Sequence, residues 1–267
     1  MGHPAVAAFA RLAEGSVNAT RNIAGQKTLI SRTIHDMDYD AIHDELIVPS
    51  FYAEGVLTFR GDANGDVAPI RKIFGARTQL GMTEAVGIDA VNGEIVVPQY
   101  GRVLVFPREA DGDVAPIRIL EGSDTNLNRG QAGRAHVDPL NNVLVARTTR
   151  GVGIFNRTAS GNTRPLRMLS RPDDMFTLYP PKGLIISAVG VGDRHEPGDY
   201  VGVWSINDSG DVPARWTMGK GIFYDIRAVA IDPEHQLVMA TDKALNAIVT
   251  FHVPEIFDVP ARDSGSR

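Results

Sequence analysis

The heptad Gly-Asp-Val-Ala-Pro-Ile-Arg occupies residues 65–71 and recurs unchanged at residues 112–118, 47 positions on. A period of this length marks one supersecondary unit copied along the chain. Each copy is unable to bury its apolar surface alone and stacks on its neighbours to do so. Extending the heptad in both directions gives a longer unit, seen as GVLTFRGDANGDVAPIRKIFG, RVLVFPREADGDVAPIRILEG, GVGIFNRTASGNTRPLRMLSR and VGVWSINDSGDVPARWTMGKG, with VAAFARLAEGSVNATRNIAG at the N-terminus. An aromatic column runs through Phe9, Phe59, Phe106, Phe155, Trp204 and Phe251, in steps of 47 to 50 residues. An arginine column runs through Arg21, Arg71, Arg118, Arg167, Arg215 and Arg262.

A second half-unit follows each of the first five: MDYDAIHDELIVPS, VGIDAVNGEIVVPQ, AHVDPLNNVLVART, FTLYPPKGLIISAV and VAIDPEHQLVMATD. Each reads as a short apolar strand, a turn opened by Asp or Pro, and a second strand rich in Ile, Leu and Val. The unit therefore holds four short strands, A to D, with D the outermost. Four antiparallel strands at this period are what a β-propeller blade requires, and blade stacking buries both sheet faces, which accounts for the continuous apolar runs of strand B. The expected fold is all-β: a single propeller domain over residues 1–267, of four-stranded antiparallel blades, five complete repeats plus an extra half-blade. A six-bladed or incomplete ring is the first expectation and five blades the second, because six C–D halves accompany only five A–B halves.

In this frame the aromatic column is core, one large ring filling the gap beside each blade. Gly in the DG, NG and SG pairs supplies the left-handed residue of the C–D hairpin, while Pro69, Pro116, Pro165 and Pro213 suit an outer strand that lacks a donor. The arginine column reads as structural. Asp40, Asp89, Asp138 and Asp232 read as turn openers whose carboxylates accept backbone N–H groups, not as a row of catalytic acids.

The stretch GDVAPIRILEGSDTNLN, followed by GRAHVDPLNNVLVA, resembles the NHL-type propeller repeats of bacterial proteins, and the likeness extends over nearly the whole chain. It implies the propeller fold. It leaves the activity open, because that superfamily hosts protein binding, RNA binding, sensing and lactonase or lyase chemistry. Tyr179 stands where the repeat usually has Asp.

Composition narrows the classes. A net charge of −5 gives no basic field for nucleic acid or anionic membrane. The absence of cysteine removes disulfides, thiolate nucleophiles and Cys-ligated zinc. No stretch is apolar enough to span a membrane, so a soluble chain of unassigned compartment is expected.

Functional groups are sought where strand A and the D–A and B–C loops meet. Two residues before the strand-A Asp, the five repeats carry Asp38, Gly87, His136, Thr177 and Ala230. Three residues earlier they carry His35, Glu84, Gly133, Asp174 and Arg227. A scaffold position repeats its residue; these vary, as a site that draws different chemistry from each blade would. Candidate ligand-binding residues are therefore His35, Asp38, Glu84, Arg134, His136, Asp174, His195 and Arg227. His35, Glu84 and Asp174 are weak candidates for a divalent cation such as Ca²⁺; otherwise no cofactor is expected. The long B–C connection VGVGDRHEPGDY, with His195, Glu196 and Tyr200, is a candidate contact loop. The D–A loop with Asn126, Asn128, Arg129 and Arg134 suits a carboxylate or carbohydrate. The leading expectation is a non-catalytic scaffold binding a protein, peptide or glycan, with no nucleic acid or membrane partner and with self-association through an incomplete blade. The alternative is a divalent-metal-dependent lactonase-type enzyme with its site at the central channel.

Overall fold

A computed structural model of the chain describes residues 4–130, 133–172, 175–190 and 197–258. The N-terminal C–D half forms a two-stranded sheet of its own, β1 (Ala5–Ala8) with β2 (Arg21–Ala24). Five blades follow in chain order. The first is β3 (Asp38–Asp40), β4 (Glu45–Ser50), β5 (Gly55–Arg60) and β6 (Arg71–Ile73). The second is β7 (Gly87–Asp89), β8 (Glu94–Gln99), β9 (Arg102–Pro107) and β10 (Arg118–Glu121). The third is β11 (Ala135–Asp138), β12 (Val143–Arg147), β13 (Val152–Asn156) and β14 (Arg167–Leu169). The fourth is β15 (Met175–Tyr179), β16 (Leu184–Val189), β17 (Asp199–Ser205) and β18 (Trp216–Phe223). The fifth, three-stranded among the described residues, is β19 (Ile226–Asp232), β20 (Leu237–Asp242) and β21 (Ala247–His252), and a short helix α1 (Pro254–Phe257) follows it. Each blade is a meander of sequential antiparallel neighbours, and the fold is a five-bladed β-propeller. Of the expected blade numbers, five is the one found, with the extra half-blade as the separate hairpin.

The chain divides into two compact units, residues 1–137 with 159–163, and residues 138–158 with 164–267. In the first, Ile47, Val56 and Ile73 of the first blade pack with Val86, Ile95, Val97, Leu104 and Phe106 of the second. Val48, Leu57 and Phe59 face the other way, onto Ile23 of the N-terminal hairpin. Adjacent residues Ile47 and Val48 thus bury on opposite sheet faces, which is why strand B shows no alternation. Each such side chain contributes roughly 1.5–3 kcal/mol. In the second unit, Val145, Ile154 and Leu169 pack on Phe176, Ile185 and Trp204, while Ile186, Val203 and Phe223 of the fourth blade pack on Val229, Val238 and Ala240 of the fifth.

The repeated heptad does more than turn a hairpin. Gly65 and Gly112 have φ near +78°, the left-handed conformation expected of them. Their backbones also form parallel bridges to the D strand of the preceding sheet, Gly65 to Ile23 and Gly112 to Ile73. The next residue completes the link. Asp66 Oδ1 accepts the Lys27 N–H at 2.7 Å, Asp113 Oδ1 accepts the Arg77 N–H at 2.7 Å, and Asn162 Oδ1 accepts the Asp124 N–H at 2.8 Å, each on the short 3₁₀ turn of the preceding D–A loop. The Gly-Asp pair is a staple between successive sheets. The prolines precede strand D by two or three residues instead of lying within it, as Pro69 before Arg71, Pro116 before Arg118 and Pro213 before Trp216.

The columns find structural partners. Phe59, Phe106, Phe155 and Trp204 are fully buried, although Phe9 is 49% exposed. Arg118 forms a two-pronged pair with Glu94 at 2.6 and 2.7 Å, Arg71 pairs with Glu45, and Arg167 Nε donates to the Ile206 carbonyl at 2.8 Å. Asp40, Asp89, Asp138 and Asp232 accept N–H groups two or three residues on, as turn openers should.

Candidate functional site

Strand A brings two of the expected polar positions together in the first unit, and adds one that sequence reasoning passed over. Asp36 and Asp38 lie at the start of the first blade; Arg134 and His136 lie at the start of the third. Arg134 Nη2 meets Asp36 Oδ1 at 2.8 Å with both side chains at least nine-tenths buried. His136 Nδ1 stands 3.7 Å from Asp38 Oδ2, which also accepts the Ile88 N–H at 2.9 Å. Burial pushes the Asp36 carboxyl above the usual carboxylate range, and the charges of Arg134 and His136 oppose that rise. Asp36 Oδ2 is buried and has no hydrogen-bond partner among the described residues. Asp36 carried a signal in the sequence, a charged residue two positions before Asp38 at the entry to the first strand of the blade.

The intervening blade makes room for this. A Cβ at Gly87 would lie 2.4 Å from the Ala135 carbonyl oxygen. Glycine at that variable position has a steric cause, the approach of two strand-A backbones.

The remaining candidates are held apart. His35 is exposed and stacks on Phe51, with centroids 5.3 Å apart and planes 21° from parallel. Glu84 Oε1 accepts the Tyr100 hydroxyl at 3.0 Å. Arg227 pairs with Asp225 at 2.8 Å and lines a cleft with Lys243 and Asn246 in the second unit. Asp174, His195 and Glu196 lie outside the described residues; Tyr200, at the end of the same long connection, has Lys220 Nζ 5.2 Å from its ring centre. Among the described residues no three His, Asp or Glu side chains are grouped to hold a metal ion.

The D–A loop of the second blade behaves differently. Asn126 Nδ2 donates to the Asp124 carbonyl, Asn128 Oδ1 accepts the Gly130 N–H, and Arg134 is committed to Asp36, whereas Arg129 is exposed. The loop is tied to the B–C turn of the same blade, because Gly101 N donates to the Asn128 carbonyl at 2.8 Å. Between them opens a cleft of about 650 Å³ lined by Gln99, Tyr100, Arg102, Glu121, Arg129 and the backbones of Gly81, Gly101 and Gly122. It is a shallow cleft open to solvent. Gln99 is 4% exposed and fixed from both ends of its amide, its Oε1 accepting the Gly81 N–H and its Nε2 donating to Thr83. Arg102 Nη2 donates to the Gln79 carbonyl at 2.7 Å. Tyr100 is 40% exposed, and burial together with its bond to Glu84 raises its pKa, so the phenol stays neutral. Of the lining residues only Arg129 was singled out by sequence; Tyr100 was legible as an aromatic beside Gly101 in a loop.

No family model matches the sequence, and no curated protein matches it. Solved structures do. A chain of Kuenenia stuttgartiensis hydrazine synthase aligns over 85% of this chain and 59% of its own, at 13% identity and a TM-score of 0.54. The β-propeller domain of Cps50 (Swd1) from Myceliophteria thermophila aligns over 86% and 67%, at 12% identity and 0.56. A chain of a nidogen/laminin complex aligns over 83% and 81%, at 16% identity and 0.53. The chain has the β-propeller fold. At these identities the likeness carries the fold alone, and the chain spans less than two thirds of the hydrazine synthase chain. Among the described residues no helix is long and apolar enough to cross a membrane.

Proposed function

We propose that this protein is a non-catalytic binding scaffold whose D–A and B–C loop face holds a ligand in the cleft between Tyr100 and Arg129. One observation carries the reading: the loop and turn that frame the cleft are fixed to each other, yet Arg129 and Glu121 at the cleft are exposed and without an ion pair among the described residues. Arg71 and Arg118 are spent on carboxylates of their own blade, but Arg129 is exposed and forms no ion pair among the described residues. Presenting adaptable polar groups on a rigid frame is how loop faces of repeat folds bind. The nidogen/laminin chain, a propeller-like neighbour solved in a protein complex, fits that use of the fold.

The test is capture on arrays of peptides and glycans by the wild-type protein and by the double variant Tyr100→Ala/Arg129→Ala. Ligands bound by the wild type and lost by the variant, with an unchanged melting temperature, are the expected result. A ligand set that survives the double substitution removes the cleft from the reading.

A further inference from the structure

From the lining of this cleft we infer its ligand class: a sugar residue bearing a carboxylate, of the uronic acid type. The inference rests on the binding-scaffold reading above. It starts from the mismatch between Arg102 and Glu121. These residues face each other directly in the β9–β10 ladder, where opposite charges ordinarily pair. They do not: Arg102 turns to the Gln79 carbonyl, and Glu121 stays exposed with no ion pair among the described residues. The cleft thus offers a carboxylate acceptor and guanidinium donors side by side. A ligand of carboxylates alone would repel Glu121, and an ammonium group would repel Arg102 and Arg129. A hydroxyl both donates and accepts, so a polyhydroxylated ring satisfies both kinds of group at once.

Tyr100 supplies the second element. Its hydroxyl is held by Glu84, which fixes the ring at the cleft wall and leaves an aromatic surface in solvent. A pyranose has a flat face of C–H groups that such a ring covers, which suits an amphipathic aromatic. The third element is Arg129. Its stem lies over Gly101, where a Cβ would come within 2.7 Å of Arg129 Cγ, so glycine there lets the stem lie across the turn. The exposed guanidinium is suited to a two-pronged pair with a carboxylate. The backbone edges of Gly81 and Gly122 carry no side chain into the cleft, leaving room for a flat ring.

Titration calorimetry of the full chain with galacturonate, glucuronate and mannuronate, each as monomer and trimer, tests this, with the matching neutral methyl glycosides and with acetate as controls. Expected is binding of at least one uronate, about tenfold weaker for its neutral counterpart and undetectable for acetate. Arg129→Ala should weaken uronate binding about tenfold while leaving the neutral sugar unchanged, and Tyr100→Ala should weaken both. Tyr100→Phe, which keeps the ring, should stay within about threefold of wild type. A preference for trimer over monomer identifies a polysaccharide as the source. The inference is overturned if no uronate binds, or if binding is indifferent to Arg129→Ala in a variant of unchanged melting temperature. Should uronates fail while array capture still depends on Tyr100 and Arg129, the scaffold reading stands and the acidic sugar falls.

Discussion

Phe106 and Phe9 occupy the same place in the repeat, and replacing each by alanine separates a core role for the aromatic column from a ligand-stacking role. Phe106 is wholly buried among Ile47, Val56, Val86 and Ile95. A buried Phe takes roughly 150–250 Å² out of water, or about 4–6 kcal/mol at 25 cal/mol per Å², an upper bound because the unfolded chain is not fully extended. Measured Phe→Ala losses of roughly 3–5 kcal/mol fall in the same range. Phe9 keeps 49% of its surface in solvent, so its loss should be no more than about half as large. For a chain of this size about 2 °C of melting temperature corresponds to each kcal/mol. Phe106→Ala should therefore lower the midpoint by roughly 6–10 °C, and Phe9→Ala by less than about 5 °C, in thermal denaturation followed by circular dichroism. Equal shifts for the two variants, or a Phe106→Ala loss below about 1 kcal/mol, would show that burial does not set the role of this column.

Gly87→Ala should cost about 1–3 kcal/mol in urea denaturation through crowding of the Ala135 carbonyl, and a neutral result would mean the two strands are further apart than the structure places them. In a double-mutant cycle on the Glu94–Arg118 pair, Arg118→Met alone should lose about 1–3 kcal/mol by removing the two-pronged donor of a mostly buried carboxylate, and the double variant Glu94→Gln/Arg118→Met should lose less than the sum of the two single variants; strict additivity would deny the pair. Burial tends to raise the Asp242 carboxyl, but backbone N–H groups of Asp225, Leu245 and Tyr224 outweigh it and hold it below the usual range. Its contribution is therefore present above the ordinary carboxylate pKa and lost as pH falls through the depressed one, so Asp242→Asn should flatten the acid limb of a stability–pH curve. Asp36 has the opposite sign: its pKa is raised, so stability is present below the ordinary value and lost as pH rises through the folded one. Asp36→Asn should abolish that loss, and an unchanged curve would refute it.

The blade architecture was legible because the repeat writes it five times over. Spacing of aromatic and arginine columns, Asp-opened turns and Gly-Asp hairpins each have local causes, in rotamer, φ and side-chain-to-backbone hydrogen bonding, and local causes leave marks at fixed offsets. What the heptad does between sheets was not legible. That Asp66 and Asp113 reach back to Lys27 and Arg77 depends on how successive sheets stack, which no single unit encodes.

The candidate site divides in the same way. Sequence variation picked out Asp38 and His136, and the D–A loop Arg134, but variation read Gly87 as part of the same functional signal, where the structure shows a backbone too close for any side chain. Arg129 could be named from its loop, yet nothing in the sequence says that Arg134, five residues on, is taken up by Asp36 while Arg129 is left to solvent. Arg102 and Glu121 meet across the β9–β10 ladder, and Arg129 joins them and Tyr100 because the B–C turn is hydrogen-bonded to the D–A loop through Gly101 and Asn128. The sequence by itself determined the blades, because their periods are set within tens of residues. Which polar groups are consumed by the fold and which remain for a ligand was decided by tertiary structure, because pairing across blades is a matter of distance in space and leaves no period in the chain.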